Sequence, residues 1–323
     1  MKSIVITGAA GFIGSCVVRL LNDQGIDRLI LVDVIDHPEK HANLLGKQYD
    51  TLIPPSELFS WLEGRHHEIS AFIHLGACSD TLETNESFLM ENNFGYTVKL
   101  AEYALKYEKR FIYASSAATY GNGSLGFVDD HSALHTLTPL NLYGFSKHYF
   151  DLWAQEKGVL DRIVGLKYFN VFGPNENHKG RMASMVYKMV PILQKEGVVR
   201  LFKSTDPACF ADGDQCRDFI YVKDAARMTV EFLSNGLNGI FNIGSGVATT
   251  WNTLSKALFS ALNLPVQIEY IDMPQSLALQ YQNFTCADMK KYKTEVKCDN
   301  PCHFSIQDSV CDYVEHLVEN KRW

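Results

Sequence analysis

The sequence predicts an α/β protein: a doubly wound, Rossmann-type parallel sheet joined to a second, smaller α/β substrate lobe. Three observations carry that prediction. Short apolar, β-branched runs alternate with amphipathic stretches through the first half, the pattern of a parallel sheet with helices on both faces. The first run leads into glycines spaced GxxGxxG at the mouth of a helix, and the second ends on an acidic residue. After Gly173-Pro174 the alternation gives way to a different texture, which marks the second lobe.

In chain order, strands are predicted at Ser3–Thr7, Arg28–Val34, Ala71–Leu75, Arg110–Ala114 and Ile163–Phe169. Helices fall at Gly14–Gln24, Asn92–Lys109 and Tyr143–Lys157. Beyond them Met182–Lys195 reads as a helix, and Leu201–Gln215, with Asp206, Pro207, Asp212, Gly213 and Asp214, as irregular chain. Asp218–Val222 and Gly239–Ile243 are predicted to rejoin the first sheet around a helix at Lys223–Leu233. A helix at Trp251–Leu262, a strand at Val266–Ile271 and a helix at Phe304–Asn320 complete the second lobe. The division is therefore 1–170 with 218–243 for dinucleotide binding, and 171–217 with 244–323 for substrate.

Composition narrows the function classes. The 323 residues carry 30 basic against 37 acidic side chains, a net charge of −7, so nothing supports a nucleic-acid partner or a polybasic membrane surface. A content of 46% hydrophobic residues excludes a disordered chain and suffices for packed cores. Any anion site must then be local. No apolar run reaches the ~18 residues of a spanning helix. The opening MKSIVITGAAGFIG is broken by glycines where a signal peptide needs an unbroken apolar core, so a cytoplasmic protein is expected. Eight scattered cysteines read as reduced thiols; Cys298, Cys302 and His303 crowd together but lack a paired CxxC, and no metal is expected.

The glycine turn has a specific chemistry. Of Gly8, Gly11 and Gly14, one serves a positive-φ turn, a second lets a pyrophosphate approach the backbone, and a third lets helix and strand pack closely. The helix that follows points free N–H groups at the phosphates. Asp33, 19 positions after Gly14, is placed to bond an adenosine ribose, which points to NAD, while Lys40 is within reach of a 2′-phosphate, which points to NADP. The residues leave both open.

Tyr143 and Lys147, four apart at the start of a helix, share one face. A free phenol with a pKa of ~10 is a poor base at neutral pH, and a neighbouring cation favours its ionised form. Ser116, at the end of the strand beginning near Arg110, borders the crevice at the strand carboxyl ends and is placed to donate to the same substrate oxygen.

Together TGAAGFIG, the strand end His74–Ser79, the serine motif, Tyr143-Gly144-Phe145-Ser146-Lys147 and Arg217–Val222 resemble the extended short-chain dehydrogenase/reductase superfamily. That superfamily acts mostly on nucleotide-linked sugars. Its dehydratases place acids directly after the catalytic serine, where this chain has Ala117 and Ala118, so the resemblance disfavours dehydration. Tyr168–Pro174, Glu176–Gly180, Asn92–Tyr96 and Tyr113–Gly121 are more particular, and are similar to the family of 6-epimerases that act on ADP-linked heptoses for the lipopolysaccharide core. The resemblance implies transient oxidation and re-reduction of C6 with bound NADP, in a homo-oligomer, a pentamer by resemblance.

Position by position it implies Tyr143 and Lys179 as the two proton carriers, with Ser116 and Asn170 on substrate oxygens and Lys147 on the nicotinamide ribose. Phe12, Ile13, Asp33, Lys40, Leu75, Gly76, Ala77, Cys78, Ser79, Asn92, Val171 and Lys179 fall at cofactor positions. Phe202, Lys203, Ser204, Thr205, Arg217 and Tyr281 fall at substrate positions, the Arg217 guanidinium being suited to a diphosphate. Arg181 and Lys188 replace a Ser and a His of the family pattern and add positive charge beside the presumed diphosphate. Val34 and Pro55 depart from the pattern for a 2′-phosphate, and Asp206–Gln215 resembles an insertion. The competing readings are a 4-epimerase or reductase of another nucleotide sugar, and a non-catalytic dinucleotide-sensing regulator, which typically loses the Tyr–Lys pair.

Overall fold

In a computed structural model, which describes residues 2–275 and 281–323, seven parallel strands form the central sheet. They are β1 (Ser3–Thr7), β2 (Leu29–Val32), β3 (Thr51–Ile53), β4 (Ile69–His74), β5 (Arg110–Ser116), β6 (Val164–Tyr168) and β10 (Gly239–Ile243). Their spatial order is β10-β6-β5-β4-β1-β2-β3. The sequence explains the burial on both faces. Along β1, Ile4 and Ile6 join one core cluster and Val5 the other; along β2, Leu29 and Leu31 face one way and Ile30 and Val32 the other. Such period-two sorting of an unbroken apolar run is what a sheet covered on both sides requires.

Three short strands form a second sheet: β7 (Asn170–Phe172), β9 (Cys216–Tyr221) and β11 (Ala248–Thr250), with β9 between the other two. The strand expected to return to the main sheet at Asp218–Val222 is therefore misplaced in the sequence reading. It pairs in parallel with β7 and antiparallel with β11, and only Gly239–Ile243 goes back beside β6. A third, two-stranded sheet joins β8 (Val199–Phe202) to β12 (Ile268–Ile271). The second lobe has its own core, in which Phe172, Leu193, Leu201, Leu258 and Tyr313 meet.

Helices lie near the predicted places with shifted ends. The first, Phe12–Asp23, starts at Gly11 and buries Cys16, Val17, Val18 and Leu21. The stretch predicted as one helix from Asn92 opens with a wide π-type turn, Met90–Gly95, before the α-helix Tyr96–Lys106. The helix Leu142–Glu156 is capped by Asn141, whose side chain accepts from the Gly144 amide at 2.8 Å. Asn177–Met182 forms a tight 3₁₀ turn broken at Gly180, and the helix Met185–Glu196 follows behind a Ser184 cap. The last helix, Ile306–Val318, is fixed by a Ser305–Asp308 capping box. Among the described residues, no helix is long and apolar enough to cross a membrane.

Candidate active site

One large cleft, about 900 Å³, opens at the carboxyl ends of β1, β4 and β5. β2 and β4 lie on opposite sides of β1, so the crevice sits at the switch point of the sheet, where ligands of open α/β sheets bind.

The phosphate turn occupies one end. Gly8 has φ +67°, and a side chain there would meet the Gly76 backbone at 2.7 Å. Gly14 lies so close to β1 that a Cβ would fall 2.0 Å from the Gly8 carbonyl oxygen. At Gly11 a Cβ would stand 3.1 Å from the same oxygen, and no side chain caps the helix that begins there. Uncapped amides at a helix N-terminus, beside a backbone cleared of side chains, fit a dinucleotide's pyrophosphate. At the far end of the turn Asp33 Oδ2 accepts from the Ala10 amide at 2.9 Å. Lys40 Nζ stands 3.3 Å from Asp33 Oδ1 and 3.0 Å from Asp36, and also donates to the Val34 carbonyl at 3.0 Å.

The catalytic candidates converge deeper in. Ser116 ends β5, and its hydroxyl oxygen accepts from the Ala118 amide at 3.1 Å. Burial raises the Tyr143 pKa, while the Ser116 hydroxyl acts in the opposite direction. Lys147 is buried and its Nζ donates to the Ala114 carbonyl at 2.9 Å; burial pushes its pKa down to about 8 against the pull of Asp151. Lys179 arrives from the 3₁₀ turn, donating to Ser79 Oγ at 3.2 Å, 5.9 Å above the Phe12 ring. Burial lowers its pKa, and Glu176 and Cys78 resist that shift. Cys78 lines the cleft together with Tyr143, Lys147 and Lys179.

Gly8, Gly11, Phe12, Ile13, Gly14, Asp33, Lys40, Leu75, Gly76, Ala77, Cys78, Ser79, Ser116, Tyr143, Lys147, Asn170, Val171, Lys179, Arg181 and Lys188 all line this cleft. Arg181 reaches Asp80 at its rim, and Lys188 donates to the Arg181 carbonyl at 2.7 Å. Asn92, Phe202, Lys203, Ser204, Thr205, Arg217 and Tyr281 do not line it. Arg217 stacks 4.8 Å over the Tyr281 ring, and the Tyr281 hydroxyl accepts from the Trp251 indole at 2.9 Å; Trp251 alone of the three walls the cleft. Lys203 pairs with Asp272, and Ser204 is held by Asp212 from the irregular stretch.

Three contributors escaped the sequence reading. Asn93, next to the predicted Asn92, holds the Cys78 peptide from both sides, accepting from its N–H at 2.8 Å and donating to its C=O at 2.9 Å. It also donates to Ser146 on the catalytic helix at 3.0 Å. Glu176 and His178 line the cleft beside Lys179 and lay within the stretch singled out for resemblance. Among the described residues no group of three or more His, Cys, Asp or Glu is placed to hold a metal.

The fold and this cleft are those of a Rossmann-type α/β protein with a crevice at its switch point, and the chain belongs to the NAD dependent epimerase/dehydratase family, whose pattern matches residues 4–244. Within that family it is similar over nearly its whole length to relatives named ADP-L-glycero-D-manno-heptose-6-epimerase. That of Nitratidesulfovibrio vulgaris (strain DP4) is 47% identical over 318 residues, 97% of each chain. That of Fusobacterium nucleatum is 43% identical over 327 residues, 98% of each. The solved structure of the Helicobacter pylori enzyme of that name superposes with a TM-score of 0.80 at 26% identity, covering 98% of this chain and 96% of the other. A Thermotoga maritima UDP-glucose 4-epimerase, 24% identical with a TM-score of 0.77 and 99% of each chain covered, shares the fold.

Proposed function

We propose that the protein inverts C6 of the heptose in ADP-D-glycero-D-manno-heptose, giving ADP-L-glycero-D-manno-heptose. The observation that carries the proposal is that Tyr143 and Lys179, from different elements, line the same cleft that begins at the glycine turn. Gly11, the amides that follow it, and Asp33 and Lys40 would hold the dinucleotide, with Lys147 on its nicotinamide ribose. When bound, that group supplies reversible hydride acceptance at C6.

The protein's own residues do the rest. Tyr143, aided by the Ser116 hydroxyl, exchanges the C6 hydroxyl proton when the sugar lies one way; Lys179 does so when it lies the other. C6 stands between two carbons, so its oxidised form is a ketone. A ketone that turned between the two groups would take the returned hydride on its opposite face, which sets the configuration, while the group then beside the oxygen would supply its proton. Lys147 lies within reach of neutrality at physiological pH, as a group that passes protons between cycles should. Ala117 and Ala118 supply no acid to expel a hydroxyl, which supports epimerisation over dehydration.

The same reading takes NADP as the cofactor, supported by the Lys40 ammonium beside Asp33 at the adenosine end, and places the enzyme as a cytoplasmic homo-oligomer serving lipopolysaccharide core synthesis. Proton NMR of the purified protein with ADP-D-glycero-D-manno-heptose should show inversion at C6. Turnover of UDP-galactose with none of the heptose would overturn the assignment. The mass of the nucleotide retained on purification decides between NADP and NAD.

A further inference from the structure

The turn that delivers Lys179 is closed at its neck by one buried carboxylate. Glu176 is 1% exposed. Its Oε1 accepts from the Ser184 hydroxyl at 2.6 Å, from the Tyr313 hydroxyl at 2.8 Å and from the Gly173 amide at 3.4 Å, and its Oε2 from the Ser184 amide. These donors come from the end of β7, from the cap of the helix Met185–Glu196 and from the last helix. The chain from 177 to 183 thus leaves Glu176 and returns to it. Inside the loop the Lys179 amide donates to the Glu176 carbonyl at 2.9 Å and the Ala183 amide to the Gly180 carbonyl at 3.1 Å. At its tip Gly180, with φ +51°, has nothing within 4 Å of where a Cβ would stand. The tip is tethered at the cleft rim by Arg181 on Asp80 and by Lys188 on the Arg181 carbonyl, so Glu176 holds the neck of the turn and not its tip.

We infer that Glu176 is a positioning residue for Lys179: its carboxylate ties together the two ends of the turn that carries the amine and sets a buried carboxyl group at the neck of that turn. The inference rests on the reading of Lys179 as a proton carrier.

The buried carboxyl group also bears on the charge of Lys179. Ser79 offers a neutral hydroxyl and Phe12 a ring face. His178, on the same turn, is held neutral by burial, its pKa lowered to about 4. Asp80, at the rim, is engaged by Arg181. Cys78 is the other group acting on the amine in the same direction, and Glu176 acts more strongly. Burial raises the Glu176 pKa, and its four donors oppose that shift and favour the ionised carboxylate.

Two substitutions separate charge from position. Glu176→Gln keeps an acceptor for Ser184 but removes the charge; Ser184→Ala loosens the neck and leaves the charge. The direct readout is the pH dependence of acetic anhydride labelling at Lys179, followed by peptide mass spectrometry on the holoenzyme as purified. In Glu176→Gln the labelling midpoint should fall by about 1 pH unit or more, and Glu176→Asp should bring it back. In Ser184→Ala the midpoint should stay at the wild-type value while kcat falls at least tenfold with little change in KM. A folded Glu176→Gln protein with an unmoved midpoint overturns the electrostatic role, and Ser184→Ala with wild-type kcat overturns the positioning role. If Glu176→Gln does not fold, Ser184→Ala still decides the second. Wild-type turnover in Lys179→Met would instead remove Lys179 from the chemistry, and the labelling shift would be unaffected by that result.

Discussion

Behind the catalytic helix lies an ion pair whose loss can be predicted in magnitude. Lys167 on β6 and Asp151 on the helix Leu142–Glu156 are both fully buried, Nζ 2.8 Å from Oδ2. The carboxylate also accepts from Tyr113 at 2.9 Å and Ser115 at 2.8 Å, and the ammonium donates to Thr119. Asp151 is one turn beyond Lys147 and favours its charged form. Lys167→Met leaves that carboxylate buried without its cation, a change that costs about 3–5 kcal/mol in comparable sites. Two remaining hydroxyl donors hold the cost near the lower bound, and the lost bond to Thr119 adds about 1 kcal/mol, so about 4 kcal/mol is expected. Asp151→Asn strands the ammonium at similar cost. The double variant should cost no more than either single one, a coupling of at least about 4 kcal/mol, because neither charge is then stranded. Urea unfolding of all four proteins at one pH gives the cycle. Additivity within about 0.5 kcal/mol would refute the reasoning. In Asp151→Asn, moreover, Lys147 should lose its proton below the value of about 8 that it has now, and activity should fall away at lower pH than in the wild type.

Three further outcomes are specific enough to measure. Gly14→Ala places a methyl 2.0 Å from the Gly8 carbonyl; helix and strand must part, at about 1–3 kcal/mol, and dinucleotide affinity by fluorescence titration should drop at least tenfold. His74, held between Thr7 and Thr97, is kept neutral by burial with a pKa lowered to about 3. The unfolded chain takes up the proton that the fold refuses, so stability should decline as pH falls from 6.5, by about 3 kcal/mol at pH 4, and His74→Asn should flatten that slope in urea titrations. Lys40→Ala should weaken NADP at least tenfold more than NAD in binding assays; equal losses would mean that Lys40 serves only to neutralise Asp33 and Asp36.

Most of the central sheet was legible because strands such as β1 and β2 are unbroken apolar runs sorted between its two faces. β9 was misread because Arg217–Val222 has the same texture; which sheet accepts it depends on Asn170–Phe172 and Ala248–Thr250, far away in the chain. The edge strand Thr51–Ile53 is too short to show a period. Asn92 was named by family resemblance where Asn93 makes the contacts; both residues lie in the π-type turn Met90–Gly95, where Asn92 donates to the Asn93 side chain and Asn93 holds Cys78. Glu176 was passed over because a charged residue in a loop ordinarily faces water; only the fold shows four donors converging on it. Arg217 and Tyr281 were chosen for chemistry that the motif suggests, and the structure stacks them on each other behind Trp251.

In the proposed reaction two proton carriers serve one substrate oxygen, and they must be held in register although they come from separate parts of the chain. Tyr143 rides on a helix packed against the central sheet, whereas Lys179 hangs from a turn between that sheet and the second lobe. The register is set by buried amides. Asn43 donates both to the Ala10 carbonyl of the phosphate turn at 3.1 Å and to the Asn175 carbonyl at 3.0 Å. Asn175, fully buried at φ +77°, donates to Ser15 on the first helix at 3.0 Å and exchanges hydrogen bonds with the Trp323 backbone. Glu176 follows directly. A side chain without both donor and acceptor cannot make these ties, and few residues but Asn tolerate that backbone. Replacing Asn43 with Ala should therefore leave the Tyr143 half of the site intact and disturb Lys179. The variant should still bind dinucleotide while kcat for inversion falls, and loss of both together would show that Asn43 serves only the phosphate turn.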